Sequence, residues 1–192
     1  NGAAMEPEVS TLCLFLQQCG AWIEGIGTGR LVIHGGRRLY GTEFAVPADR
    51  IVAGTYLFGC IGAGGSVFLE QAPQEEMQSV LETAVQMGGR VYASKEGIYV
   101  QAPGRPAAID LVTAPYPGFP TDLQSMVLAV ETKGEGASRI QERIFENRFR
   151  IVEELEKMGA SVERSGQGSV LVQGVETLRG ARVEARELRG GG

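Results

Sequence analysis

The chain has 192 residues, of which 43% are apolar, 21% are charged and 28 are glycine. It is long enough for a sizeable core, and no apolar run reaches the length of about 20 residues that a membrane-spanning helix needs. The net charge of −5 argues against a nucleic-acid surface, which would require a basic excess. Three scattered cysteines and a single histidine lack the spacing of a disulfide framework or a zinc site. We therefore predict reduced thiols, no metal, no membrane contact and no nucleic-acid partner.

Three segments about seventy residues apart share one pattern. In each, an amphipathic helix ends at a glycine and two short strands follow. The first helix begins at Pro7, and the three helices end at Gly20, Gly88 and Gly159, as is typical of helix termini. The predicted strand pairs are 21–23 with 31–33, 91–92 with 98–100, and 161–163 with 170–172.

A second set of helices lies between these segments. Residues 50–63 and 123–130 are apolar on nearly every side, which predicts buried helices. Strands at 67–69 and 109–112 accompany them. Each repeat thus combines a buried helix, an amphipathic helix and about four strands. Copies of the repeat must pack together to cover their apolar faces. The sequence predicts a mixed α/β fold with inner helices and outer sheets.

The start of helix 123–130 carries a candidate catalytic residue. Thr121 and Gln124 have the spacing of a capping box, and Asp122 lies in the first turn, where the helix dipole favours a carboxylate. Asp122 is therefore either a helix-start acid only or a general base at the mouth of a cleft. Asp49 is its repeat-equivalent and is expected to share the structural role.

Other polar residues are weaker candidates. Arg148 and Arg189 could bind an anion through bidentate contacts, or they could be solvated or ion-paired. Glu6 is expected to belong to a capping cluster at the first helix. His34 lies in a short strand and is predicted to have no catalytic role. Gly25–Gly29 fails the dinucleotide fingerprint and favours a hairpin, and no phosphate loop is present, so we predict no cofactor.

Several stretches resemble one family in order and spacing. Residues 113–124, with the run Pro115-Tyr116-Pro117, are similar to the signature of UDP-N-acetylglucosamine 1-carboxyvinyltransferases, and so are 144–149 and 187–189. The resemblance covers essentially the whole chain. It implies an inside-out α/β barrel fold of two domains, each with three βαβαββ units. Residues 1–48 would finish the first domain, and 49–192 would supply two units of the second (49–118 and 119–186) and the start of a third.

The resemblance also implies an activity. Members of the family transfer the enolpyruvyl group of phosphoenolpyruvate to the 3′-hydroxyl of UDP-N-acetylglucosamine and release phosphate. This is the first committed step of peptidoglycan synthesis, in the cytoplasm. Asp122 matches the proposed catalytic base, which also contacts the sugar, and Ile144 matches a residue that contacts the nucleotide sugar through its main chain. Arg148 and Arg189 match arginines suited to phosphoenolpyruvate. The weaker candidates are Asp49, Glu6 and Glu187, the last standing where the family usually has aspartate.

Parts of the family machinery have no counterpart in the sequence. An N-terminal Lys-Asn pair, a mobile loop with a reactive cysteine and a late arginine are all absent. The chain starts without methionine and stops at Gly192, so we predict that both ends are cuts within a longer polypeptide whose remainder is a partner. The isolated chain is expected to show little turnover. Two alternatives stay open: a shikimate-pathway enolpyruvyl transferase, and a non-catalytic binding or scaffold domain of this fold.

Overall fold

The computed structural model describes residues 1–166 and 168–185. The chain divides into two compact units. Unit 1 comprises residues 1–48 and 115–117, and unit 2 comprises residues 49–114 and those from 118 onward.

Unit 1 contains one helix and one hairpin. Helix α1 (Pro7–Gln18) begins at a proline. It is followed by Gly20, whose φ of 103° is in the left-handed region that often ends a helix. Strands β1 (Trp22–Glu24) and β2 (Val32–His34) pair antiparallel, which confirms the predicted hairpin. The capping prediction for Glu6 is wrong. Glu6 occupies the N-cap position but makes no side-chain cap, and its Oε1 instead accepts a hydrogen bond from the Tyr116 N–H at 3.4 Å.

Unit 2 contains the same series of elements twice, about seventy residues apart, which confirms the predicted repeat. Each series runs inner helix, strand, outer helix and two strands. The first series is α2 (Arg50–Ala63), β3 (Ser66–Glu70), α3 (Gln78–Gln86), β4 (Arg90–Ser94) and β5 (Gly97–Gln101). After β6 (Asp110–Val112) the second is α4 (Gln124–Glu131), β7 (Ala137–Gln141), α5 (Ile151–Lys157), β8 (Ser161–Arg164) and β9 (Ser169–Gln173). Short 3₁₀ turns occupy Gln74–Glu76 and Thr121–Leu123.

The two series form two sheets around one core. The first sheet is antiparallel, with strand order β3-β5-β4. The second has the order β6-β7-β9-β8, and only its β6–β7 pairing is parallel, because α4 carries the chain back between these strands. Helices α2 and α4 pack together and supply fully buried side chains such as Leu57, Phe58 and Leu128. The predicted architecture of inner helices and outer sheets is confirmed.

Helix α2 is less enclosed than its composition predicted. Val52 is 46% exposed and Tyr56 is 64% exposed, although the opposite face of the helix is buried. Tyr56 also lines an apolar groove of about 660 Å³ along α2 and α4, together with Met126 and Ala129. The expectation that α2 is buried all round is therefore wrong, because the described part of the chain contains only two inner helices to cover one another.

Two glycines of α2 provide a matched test of this packing. A methyl group on Gly54 would overlap the buried Leu123 Cδ1, whereas one on Gly59 would meet nothing within 4 Å. We expect Gly59→Ala to raise the free energy of unfolding by about 1 kcal/mol, since alanine is the better helix former. Gly54→Ala should lower it by about 1–3 kcal/mol through overpacking. Urea denaturation of both variants measures the difference, and equal shifts would contradict the close approach of α2 to Leu123.

Candidate active site

Asp122 and Arg148 form an ion pair at the start of α4. The 3₁₀ turn Thr121–Leu123 is anchored by Leu123, which is fully buried against α2 at Gly54. Asp122 lies outward of this anchor, and its side chain is 36% exposed. Its Oδ1 accepts a hydrogen bond from Arg148 Nη2 at 3.2 Å. The fold thus brings together two residues that the sequence had singled out separately, and the carboxylate stays accessible to a ligand.

Arg148 belongs to residues 142–150, which we call the β7–α5 loop. Its guanidinium carbon lies 5.0 Å from the centre of the Phe145 ring, at the distance of a cation–π contact. Asn147, next to it, has a φ of 59°, a conformation that asparagine tolerates better than most residues. Phe149, on its other side, is buried in the core. Arg148 is therefore held by an aromatic ring, a carboxylate and the anchored chain on its C-terminal side.

Glu142 is buried at the beginning of this loop and organises it. Its Oε1 accepts hydrogen bonds from the backbone N–H groups of Ile144 at 2.7 Å and Phe145 at 3.1 Å. The same oxygen accepts from the Thr113 hydroxyl at 2.9 Å, and Oε2 accepts from the Thr121 hydroxyl at 2.8 Å. Sequence reasoning missed Glu142. The strand that precedes it, β7, was not among the predicted strands, so nothing distinguished Glu142 from a solvent-exposed charge.

The β7–α5 loop also lines a polar cavity of about 760 Å³. Its walls include four arginines, at positions 143, 148, 150 and 164. Arg164 donates a hydrogen bond to the Phe149 carbonyl oxygen at 3.3 Å. Guanidinium groups gathered in this way suit a carboxylate or phosphate ligand, because each presents several donors in a plane. Arg148 both lines the cavity and pairs with Asp122.

The predicted capping box at Thr121 and Gln124 is wrong. The 3₁₀ turn begins after Pro120, and no side chain caps it. The Thr121 hydroxyl donates to Glu142 instead. The Gln124 side chain is fully buried, and neither of its polar atoms has a hydrogen-bond partner within the described residues. Tertiary contacts have therefore displaced the local cap that the spacing favoured.

Comparison with known proteins identifies the family. A family model described as EPSP synthase (3-phosphoshikimate 1-carboxyvinyltransferase) matches residues 1–191. The chain belongs to this family of carboxyvinyl transferases.

Within this family, two curated relatives that the chain resembles share one name. The chain is 45% identical over 189 residues to a UDP-N-acetylglucosamine 1-carboxyvinyltransferase of Methylacidiphilum infernorum, covering 98% of this chain and 45% of that protein. It is 47% identical over 188 residues to the protein of the same name from Methylocella silvestris, covering 97% of this chain and 44% of that one. The resemblance stated from the motifs is confirmed. The chain spans less than half the length of these relatives.

Solved structures of carboxyvinyl transferases share the fold. The enolpyruvyl transferase NikO from Streptomyces tendae matches 90% of this chain and 41% of its own, with a TM-score of 0.77 and 22% identity. An EPSP synthase from Acinetobacter baumannii matches 85% of this chain and 40% of its own, with a TM-score of 0.57 and 18% identity. At these identities the comparison establishes the shared enolpyruvyl transferase fold alone.

Asp49 and Asp122, the repeat-equivalent acids of this carboxyvinyl transferase chain, have different contacts. Asp49 is the N-cap of α2, where its Oδ1 accepts hydrogen bonds from the N–H groups of Ile51 at 2.7 Å and Val52 at 3.1 Å. No such side-chain cap is made at the start of α4, where Asp122 pairs with Arg148. The structural role predicted for Asp49 is confirmed, and the expectation that the two acids share it is wrong.

The remaining candidate residues fall in different places. Ile144 is in the β7–α5 loop, with its N–H engaged by Glu142. Glu6 belongs to unit 1, and His34 lies in β2 stacked on Trp22 with 3.8 Å between ring centres. Glu187 and Arg189 lie outside the described residues. Within the described ranges, no three His, Cys, Asp or Glu side chains are grouped to hold a metal ion, and no helix is long and apolar enough to cross a membrane.

Proposed function

We propose that this chain is part of a UDP-N-acetylglucosamine 1-carboxyvinyltransferase. In the overall reaction the sugar 3′-oxygen forms a bond to the enolpyruvyl carbon of phosphoenolpyruvate, and the bond from that carbon to the phosphate oxygen breaks. The hydroxyl proton ends on the released phosphate or on solvent. The observation that carries the proposal is the identity of about 45%, over 98% of this chain, to enzymes of that name. It implies a cytoplasmic enzyme of peptidoglycan synthesis.

Asp122 would accept the proton of the 3′-hydroxyl. A general base must be an accessible acceptor held in one orientation. Asp122 fits because one oxygen is fixed by Arg148 at 3.2 Å while the side chain keeps 36% of its surface exposed. The Arg148 guanidinium also supplies positive charge beside the site, where the carboxylate and phosphate of phosphoenolpyruvate would be stabilised. Arg189 is proposed for the same anion.

Ile144 would contact the nucleotide sugar through its carbonyl oxygen. The Ile144 N–H already donates to Glu142, so the acceptor is what its main chain can offer a ligand. Sugar hydroxyls and nucleobase N–H groups are donors and match such an acceptor. Asp49 is left out of the proposed site because its carboxylate is engaged in capping α2. The rest of a longer chain would supply the residues that the family requires and this chain lacks.

Substrate competition tests the proposal. Phosphate release from phosphoenolpyruvate is measured in the full-length protein that contains this chain, with UDP-N-acetylglucosamine or shikimate 3-phosphate as acceptor. We expect release with the nucleotide sugar only, and no release by residues 1–192 alone. Phosphate release with shikimate 3-phosphate would instead identify a shikimate-pathway enolpyruvyl transferase. No release with either acceptor, from a folded protein, would favour the binding or scaffold domain.

A further inference from the structure

We infer that Glu142 is a positioning residue for the proposed reaction, one that fixes Asp122 and the ligand-binding loop in a single arrangement. The inference rests on the proposed function. Glu142 follows β7 directly, and Thr113 follows β6. Because β6 and β7 are parallel, their carboxyl ends meet at the same edge of the sheet, the edge at which α/β sheets commonly bind ligands.

The contacts of Glu142 join three segments of chain. The Thr121 hydroxyl, which donates to Oε2, is adjacent to Asp122 at the start of α4. The Ile144 and Phe145 N–H groups, which donate to Oε1, orient the part of the loop that leads to Arg148. The Thr113 hydroxyl donates to Oε1 and also accepts from the Arg143 N–H at 2.9 Å. One carboxylate thus fixes both sides of the Asp122–Arg148 pair.

The chemistry of the site explains why a carboxylate is present at this position. A buried charge is costly unless it is fully hydrogen-bonded, and Glu142 receives four hydrogen bonds from neutral donors. A carboxylate accepts from two hydroxyls and two N–H groups at once through its two oxygens. Such a network is rigid when complete, and rigidity matters because misplacing a catalytic group by about 1 Å can lower the rate by about 10²-fold.

Two pairs of variants in the full-length protein test the role of Glu142. Glu142→Ala should lower kcat by about 10- to 100-fold, since it removes all four contacts. Glu142→Gln should stay within about threefold of wild type, because its oxygen keeps three donors and its amide can donate to Thr121. Thr121→Val removes only the link to Asp122 and should lower kcat by about tenfold, whereas Thr121→Ser should restore it. The threonine pair keeps the test valid if Glu142→Ala fails to fold.

Two further readouts separate positioning from general stability. In an Asp122→Asn background, Thr121→Val should have less than about a threefold effect on kcat, because the group it positions has gone. Hydrogen exchange at the Ile144 and Phe145 amides should accelerate in Glu142→Ala. Full kcat in folded Thr121→Val and Glu142→Ala, or equal effects in both backgrounds, would overturn this inference and leave the proposed function standing. Full turnover by Asp122→Asn alone would instead refute the proposed role of Asp122.

Discussion

Asp122→Asn is expected, under the proposed function, to lower kcat of the full-length protein by about 10²- to 10⁴-fold, the usual contribution of a positioned general base. Asparagine has nearly the same size, and its carbonyl oxygen can still accept the hydrogen bond from Arg148. It cannot take up the proton of the 3′-hydroxyl. Because the side-chain amide can donate to the sugar hydroxyl instead of accepting from it, KM for UDP-N-acetylglucosamine should change less than kcat. Steady-state kinetics at saturating phosphoenolpyruvate measures both constants.

Asp110→Asn is the matched control for this experiment. Asp110 is an exposed aspartate of unit 2, in β6, and its contact is with the Arg139 N–H at 3.3 Å. Its replacement should leave kcat unchanged, so a loss confined to Asp122 cannot be attributed to removal of a negative charge from the unit. If Asp122→Asn turned over at the wild-type rate, Asp122 would be a structural residue, and the general base would have to be sought elsewhere.

Glu131 is expected to make the chain less stable as the pH rises through neutrality. It ends α4, is fully buried, and accepts a hydrogen bond from the Ser138 hydroxyl. Its Oε1 has no hydrogen-bond partner among the described residues. Burial disfavours the charged form and raises the pKa of this carboxyl from 4.5 to about 7, while the Ser138 bond opposes the shift.

A raised pKa means that the folded chain holds the proton more tightly than the unfolded chain. The stabilisation is complete below about pH 4.5 and is lost as the pH rises to about 7. The corresponding decrease in the free energy of unfolding is about 3 kcal/mol. Urea denaturation of the chain at intervals between pH 4.5 and 8, followed by circular dichroism, measures this decrease.

Glu131→Gln isolates the contribution of this carboxyl. Glutamine mimics the protonated acid, so the variant should match wild type near pH 4.5 and exceed its stability by up to about 3 kcal/mol at pH 8. Glu135→Gln, an exposed change shortly after α4, should follow the wild-type pH profile. A wild-type stability that stayed level across this pH range would contradict the raised pKa of Glu131.

The repeat could be predicted from the sequence because it depends on local signals. Helix α2 begins at Arg50 and ends at Ala63, the predicted bounds. Asp49 before it and the glycines after it are determinants within a few residues of the helix. The spacing of apolar residues is also a local signal: a period of two residues predicts a strand and a period of 3.6 residues predicts a helix. For the site, Asp122 and Arg148 were candidates from their residue type and position as well as from the motif, and Ile144 was selected by the motif alone.

The network at Glu142 could not be predicted, because its partners are distant in sequence. Thr113 and Thr121 approach this glutamate only when β6 and β7 pair in register and α4 packs against α2 and the second sheet. The contact with Thr121 also explains why the predicted capping box does not form. The Thr121 hydroxyl donates to Glu142, and no side chain caps the helix start. The burial of Glu131 could not be predicted either. Most glutamates are exposed, and only the packing around α4 shows that this one is buried.

The sequence by itself determined most of the elements, their repeat, the family resemblance and the residues that match its motifs, although strand β7 was not among the predicted strands. Each of these depends on residue identity and spacing, which a single chain displays directly. The tertiary structure alone decided that Asp122 pairs with Arg148, that Asp49 caps a helix and Asp122 does not, and that α2 keeps one face open. These outcomes depend on which surfaces meet. Burial and charge pairing arise only after distant segments have packed, so local patterns do not encode them.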